Sequence, residues 1–328
     1  VVLFDLAAKE SPRSGIAESA IAGLRKLNPA PLGRPELADF ITPANYDEHL
    51  SLLTSCDLII EAIAERMDWK HDLYARITPH IASHAIMASN TSGLSITALS
   101  EGFDDDLKKR FCGVHFFNPP RYMHLVELIP TPSTQADVLT RLETFLVSTL
   151  GKGVVHAKDT PNFIANRVGI YGMLATIKEA ETFGLGFDVV DDLTGAKLGR
   201  AKSGTFRTAD VVGLDTMGHV IKTMQDNLPD DPFAPLYQTP AVLTSLIEKG
   251  ALGQKSGAGF YKKEGKAILR LDPAKGEYVP AGEKAAETVA RILKKKTWAE
   301  RLQLLRESDN PQAQFLWAVM RDGMQYAA

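Results

Sequence analysis

The chain has 328 residues, enough for about two domains at roughly 150 residues each. Lys plus Arg number 37 against 40 Asp plus Glu, so the net charge of -3 excludes a nucleic-acid binder driven by bulk positive charge. No run approaches the ~18–20 apolar residues needed to span a bilayer. The only two cysteines, Cys56 and Cys112, exclude a disulfide framework and point to a reducing compartment.

The chain opens on Val1-Val2-Leu3-Phe4-Asp5-Leu6, an apolar strand ending in an acid, with no starting Met. The expectation from this opening is that a segment precedes it. Further strand-like runs are Leu58–Ile63, Ala85–Ala88, Phe111–Phe117, Leu125–Ile129 and Val154–Ala157. Most are continuously apolar, as strands covered on both faces must be. Helical spacing fills 14–27, 66–78 and 134–149. This alternation predicts a doubly wound α/β domain up to residue 158.

Beyond Lys158 the pattern changes. Thr160 and Pro161 form a helix-start signal, and the helix that follows should stop at Gly184. Asp188 can cap the next helix. From there to about residue 250 the reading is almost wholly helical. Residues 264–282 are polar and rich in Gly, Pro and Lys, and read as a linker. Residues 283–328 return to helical spacing.

Four places in this frame can carry chemistry. Asp5 ends a strand. It is either a turn residue or the acid that binds ribose hydroxyls about 20 residues after a glycine loop. Ser89-Asn90-Thr91-Ser92 ends another strand, where open α/β sheets bind ligands; helix capping is the competing role. Asn166 lies in the helix that starts at the domain junction. It is either exposed or directed into a cleft.

His115 and Glu127 form the fourth. The segment between their strands is too short for a parallel crossover, so the strands should pair antiparallel. A turn centred on Arg121 leaves each six residues away, cross-strand neighbours on one face. A carboxylate beside an imidazole orients it and favours its protonated form, as a general base needs. A buried histidine merely satisfied by Glu127 is the other reading. The histidines His71, His80 and His84 lack zinc-ligand spacing.

Several long motifs, in order, resemble the 3-hydroxyacyl-CoA dehydrogenases. They are Glu61-Ala62-Ile63-Ala64-Glu65, Ser89-Asn90-Thr91-Ser92-Gly93, His115-Phe116-Phe117-Asn118-Pro119-Pro120 with Leu125-Val126-Glu127, and Lys158-Asp159-Thr160-Pro161-Asn162-Phe163-Ile164-Ala165-Asn166-Arg167. Val212-Gly213-Leu214-Asp215 and Gly257-Ala258-Gly259-Phe260-Tyr261 extend the likeness to about residue 263.

The resemblance implies a Rossmann-type NAD-binding domain over 1–158, lacking its first strand-turn-helix. A helical substrate and dimerisation domain of the 6-phosphogluconate-dehydrogenase-like, all-α kind would span 159–263. The remainder, 264–328, would be a linker and the start of a second helical domain. It implies NAD-dependent oxidation of a (3S)-3-hydroxyacyl-CoA in fatty-acid β-oxidation.

His115 would be the base, Glu127 its orienting acid, and Ser92 and Asn166 the substrate contacts. Asp5, Glu65, Lys70, Ser92, Asn118 and Lys255 would line the cofactor or acyl-CoA site, with no metal. A glycine loop would lie upstream of Asp5, and without it NAD binding would be weak. The basic stretch 199–207 resembles the large bacterial chains fused to an enoyl-CoA hydratase. The other implied properties are an acyl-CoA substrate, no nucleic-acid partner, no membrane span and a homodimer. The compartment would be the bacterial cytoplasm, with an organellar address left open. Two alternatives remain at this stage: a sister dehydrogenase acting on a free hydroxy acid, and a non-catalytic acyl-CoA-binding or scaffold domain.

Overall fold

The computed structural model describes residues 1–328 as two compact units, Val1–Phe163 and Ile164–Ala328. The first carries strands β1 (Val2–Asp5), β2 (Thr42–Asn45), β3 (Leu58–Glu61), β4 (Ile86–Ser89), β5 (Phe111–Phe116), β6 (Leu125–Pro130) and β7 (Gly153–His156). Its helices are α1 (Gly15–Leu24), α2 (Met67–Ile77), α3 (Ile96–Leu99), α4 (Asp105–Lys109) and α5 (Ala136–Ser148).

Strands β3 to β7 form one five-stranded sheet in chain order. Every pair is parallel except β5–β6, which is antiparallel as the short connection requires. Strands β1 and β2 form a separate parallel pair. Sequence patterning did not anticipate β2, whose four residues include Pro43 and therefore read as a turn.

Alternation along the central strands feeds two cores. Met87, Phe111 and Ile129 face a cluster with Leu73, Tyr74 and Ile77 of α2. Ile86, Ala88, Cys112, Val114, Val126 and Leu128 face the other side, against Val138, Leu142 and Leu146 of α5. Both helices bury residues at i, i+4 spacing, which is why their periodicity was legible. With both faces covered, the strands must be apolar throughout, and the polar residues that remain in them stand out.

The second unit holds α6 (Ala165–Thr182), α7 (Phe187–Thr194), α8 (Phe206–Val212), α9 (Leu214–Asn227), α10 (Ala241–Glu248), α11 (Glu287–Leu293), α12 (Trp298–Glu307) and α13 (Pro311–Ala327). It also contains an antiparallel meander of β8 (Tyr261–Glu264), β9 (Ala267–Asp272) and β10 (Glu277–Pro280). Thus 264–282 is not a linker but largely sheet. Its polarity reflects strands exposed along much of their length, with Leu271 turned into the core. Helices α11 to α13 share one hydrophobic core with α6 to α10, through Val289, Leu293, Leu305, Phe315 and Leu316. The tail therefore belongs to the same unit as residues 164–263.

The helix expected from Pro161 starts later, at Ala165. Asn162 and Phe163 have φ of 60° and 51°, which no right-handed helix accommodates. The far end agrees with expectation: Gly184 takes φ 62° and Leu185 N–H closes onto the Ala180 carbonyl. Asp188 lies inside the first turn of α7, with Gly186 as the cap. Its carboxylate accepts from the N–H groups of Gly282 and Glu283 and pairs with Arg270, tying the meander to the helices.

Candidate active site

His115 and Glu127 are register partners across β5 and β6. Nδ1 of His115 lies 2.8 Å from Oε2 of Glu127. The imidazole is 3% exposed and the carboxylate fully buried. With Glu127 as the acceptor of this bond, the proton sits on Nδ1 and Nε2 is left as the basic nitrogen. The ring of Phe117 packs at 4.4 Å and that of Phe163 at 5.7 Å, centroid to centroid. Two aromatic neighbours and a fixed carboxylate confine the imidazole to one orientation.

The loop after β4 is held by a carboxylate. Oε1 of Glu65 accepts from the N–H groups of Ser92 (2.8 Å) and Gly93 (2.9 Å), and from the Thr91 hydroxyl. Ser92 is exposed. The capping alternative for this cluster does not hold, because α3 is capped by Ser95, whose Oγ accepts from Ala98 N–H. Asn90 does something sequence reasoning missed. Its Oδ1 accepts from Phe116 N–H at 2.9 Å, joining the end of β4 to β5 one residue past His115.

Beneath the loop lies a buried polar network. Glu61 accepts from Lys70 (2.6 Å), the Tyr74 hydroxyl (2.6 Å), the Ser89 hydroxyl (2.7 Å) and the Ile63 N–H (2.7 Å). The expected contact of Lys70 with the cofactor is not what this geometry offers. Its ammonium has no exposure and is spent on Glu61, on the Ile63 carbonyl and, at 4.0 Å, on Glu65. The helical spacing of α2 turns position 70 inward with Leu73, Tyr74 and Ile77. The only sequence signal was a lysine on an otherwise apolar stripe. Burial and the Glu61 carboxylate push the Tyr74 phenol far above its ordinary value.

Asp5 stands at the carboxyl end of β1, opposite Asn45, and its Oδ1 accepts from Leu6 N–H at 2.7 Å. It lies on the rim of a cleft of about 730 Å³ between β1 and β3, together with Ile63, Ala64 and Trp69. Asn118 is exposed in the turn after β5. Glu61, Glu65, Lys70, Ser92, His115 and Glu127 thus gather at the carboxyl ends of β3 to β5 and the facing edge of β6.

Two expected residues lie in the helical unit. Asn166 is the second residue of α6, followed by Arg167. Lys255 pairs with both carboxylate oxygens of Asp215, at 2.6 Å each, and this ion pair holds the Asp215 acid below its usual range. No group of His, Cys, Asp and Glu side chains is arranged to hold a metal. No helix is long and apolar enough to cross a membrane.

Residues 1–160 match the family model described as 3-hydroxyacyl-CoA dehydrogenase, NAD binding domain. Residues 163–263 match the C-terminal domain of the same family. The chain is 40% identical over 316 residues, 96% of its length, to a probable 3-hydroxyacyl-CoA dehydrogenase of Bacillus subtilis, and spans 40% of that relative. It is 41% identical over 264 residues to a probable 3-hydroxyacyl-CoA dehydrogenase of Deinococcus radiodurans, covering 80% of this chain and 75% of the relative. Among solved structures, FadB2 of M. tuberculosis superposes with a TM-score of 0.67 at 28% identity, over 80% of this chain and 90% of that one.

Proposed function

Since the chain belongs to the 3-hydroxyacyl-CoA dehydrogenase family, we propose that the protein oxidises a (3S)-3-hydroxyacyl-CoA to the 3-ketoacyl-CoA in fatty-acid β-oxidation. The observation that carries this reading is the buried His115–Glu127 pair, 2.8 Å apart.

Oxidising an alcohol removes a proton from oxygen and a hydride from carbon. NAD, when bound, supplies the acceptor for the hydride. Nε2 of His115 takes the proton of the 3-hydroxyl. The imidazole becomes imidazolium beside Glu127, turning a neutral hydrogen bond into a buried ion pair. That gain grows as the proton arrives, so it lowers the barrier more than it strengthens substrate binding. The low-dielectric surroundings of Phe117 and Phe163 enlarge it.

The residues present fit NAD. Asp5 is an acceptor-only group at the carboxyl end of a parallel strand, which suits the two hydroxyls of the adenosine ribose. Glu65 would hold the Thr91–Gly93 loop at the nicotinamide end, with the Ser92 hydroxyl reaching the substrate oxygen. Lys70 would act through Glu65 and Glu61 and not by touching phosphate. Asn118 would line the same site, and Asn166 and Lys255 would contact the acyl-CoA. The chain spans 40% of the length of its Bacillus relative. A homodimer and a fused hydratase domain are further parts of the proposal, the fusion supported by the likeness to a putative fatty acid oxidation complex trifunctional enzyme of Rickettsia felis.

The test is NADH formation from (3S)-3-hydroxybutyryl-CoA by the full-length protein. Turnover is expected with the thioester and far less with free 3-hydroxybutyrate. His115→Ala should abolish it. A His115→Ala protein that keeps its rate would sink the reading.

A further inference from the structure

Both family domains end by residue 263, yet a residue at the far end of the chain is bound into the start of α6. Tyr326, in the last turn of α13, stacks on Tyr171 of α6 with ring centroids 3.9 Å apart and planes 4° from parallel. Phe233 meets both rings edge-on at 5.2 Å. The Tyr326 hydroxyl accepts from Nε of Arg167 at 2.8 Å and from the Tyr237 hydroxyl at 2.8 Å. Nη2 of Arg167 donates to Asp231, whose other oxygen accepts from Phe233 N–H at 2.8 Å.

This arrangement is unusual for where it lies. Arg167 is the third residue of α6, and a cation in the first turn opposes the helix dipole. Asn162 and Phe163, which precede the N-cap residue Ile164, hold left-handed backbone. A first turn with these two features needs an external hold to stay wound. Asp231 neutralises the guanidinium, and Tyr326 fixes the plane in which it lies. Asn166 is the residue immediately before Arg167 in that turn.

We propose that Tyr326 is a positioning residue for substrate binding: through Arg167 it sets the first turn of α6 and the orientation of Asn166. The inference rests on the reading above, in which Asn166 contacts the acyl-CoA. It makes the C-terminal helix part of the substrate site without touching substrate.

The experiment compares the full chain with Tyr326→Phe, Arg167→Lys and Asn166→Ala, using (3S)-3-hydroxybutyryl-CoA as probe. Tyr326→Phe keeps the ring stack and removes only the acceptor. Its KM for the thioester should rise about five- to tenfold, with kcat within about twofold and the KM for NAD unchanged. Arg167→Lys, which loses the fork to Tyr326 but keeps its charge for Asp231, should raise the same KM. Adding Tyr326→Phe to it should then add nothing. An unchanged KM in Tyr326→Phe, with a raised KM in Asn166→Ala, overturns the positioning role and leaves the functional reading standing. An unchanged KM in Asn166→Ala overturns the assignment of Asn166 and the inference with it. A fall in melting temperature with no change in KM marks Tyr326 as structural and also overturns the proposal.

Discussion

The ammonium of Lys70 lies 2.6 Å from Oε1 of Glu61, and both side chains are buried, at 0% and 2% exposure. Glu61 also takes the hydroxyls of Tyr74 and Ser89, so α2, β3 and β4 meet in one hydrogen-bonded knot under the Ser89–Gly93 loop. Removing one partner strands a buried charge. Lys70→Met should cost about 3–5 kcal/mol of stability in urea unfolding. The double replacement with Glu61→Gln should recover part of that loss, because no lone charge remains. A Lys70→Met protein within about 1 kcal/mol of the parent would show that the pair is not desolvated as described.

Glu127→Gln probes the proposed base. Glutamine is close in shape to glutamate but carries no charge to stabilise the imidazolium, and its amide can favour the wrong tautomer of His115. The expected result is a kcat lower by about a hundredfold or more, with KM changed by no more than about threefold. Steady-state NADH formation measures both. Equal losses through KM alone would assign Glu127 to substrate binding instead.

Gly93 and Asn162 are coupled by space. A Cβ at position 93 would stand 2.9 Å from Oδ1 of Asn162, closer than real contacts allow. Gly93→Ala should therefore displace either the loop or the strained residue, at about 1–3 kcal/mol. Asn162→Gly clears the space, and glycine accepts φ of 60° without penalty. The double variant should be more stable than the sum of the single changes predicts, a coupling read from a thermodynamic cycle. Strict additivity would rule the contact out.

Two buried acids give the helical unit a pH dependence of unusual sign. Burial pushes Asp191 and Asp210 up to about 6, although backbone N–H groups of 205–207 and 260–261 partly offset the rise. Raised folded values mean that the native state keeps protons that the unfolded chain releases between about pH 4 and 6. Their contribution to stability is therefore greatest at the acid end of that window, falls as pH rises through it, and levels off above. The effect should be on the order of 3 kcal/mol for each acid. Asp210→Asn loses an acceptor for a backbone N–H and should be less stable at every pH. Its stability curve should nevertheless be flatter between pH 4 and 6 than that of the parent. A parallel curve would show that Asp210 titrates at an ordinary value.

The strand-and-helix order of the first unit was legible because burial on two faces leaves a simple mark. Runs at 58–63, 85–88, 111–117 and 125–129 lie within two residues of the strands found. The antiparallel partnership of His115 and Glu127 followed from chain length alone, and the register bears it out. The stretch 264–282 was misread as a linker because Leu271 is its one buried residue, leaving no alternation to see. The late start of α6 was equally invisible, since an Asn-Phe dipeptide carries no mark of left-handed backbone until its neighbours impose it.

What the sequence by itself determined is therefore the fold class, the family and the His115–Glu127 pairing, which depends on local strand geometry. The tertiary structure alone decided that Lys70 is spent inside the protein, that Asn90 bridges β4 to β5, and that Tyr326 reaches back to Arg167 across the chain. The reason is physical. Patterning records whether a residue faces core or solvent, but a polar side chain turned inward takes its role from the partner that folding brings to it. That partner lies 9 residues away for Lys70, in Glu61, and 159 away for Arg167, in Tyr326.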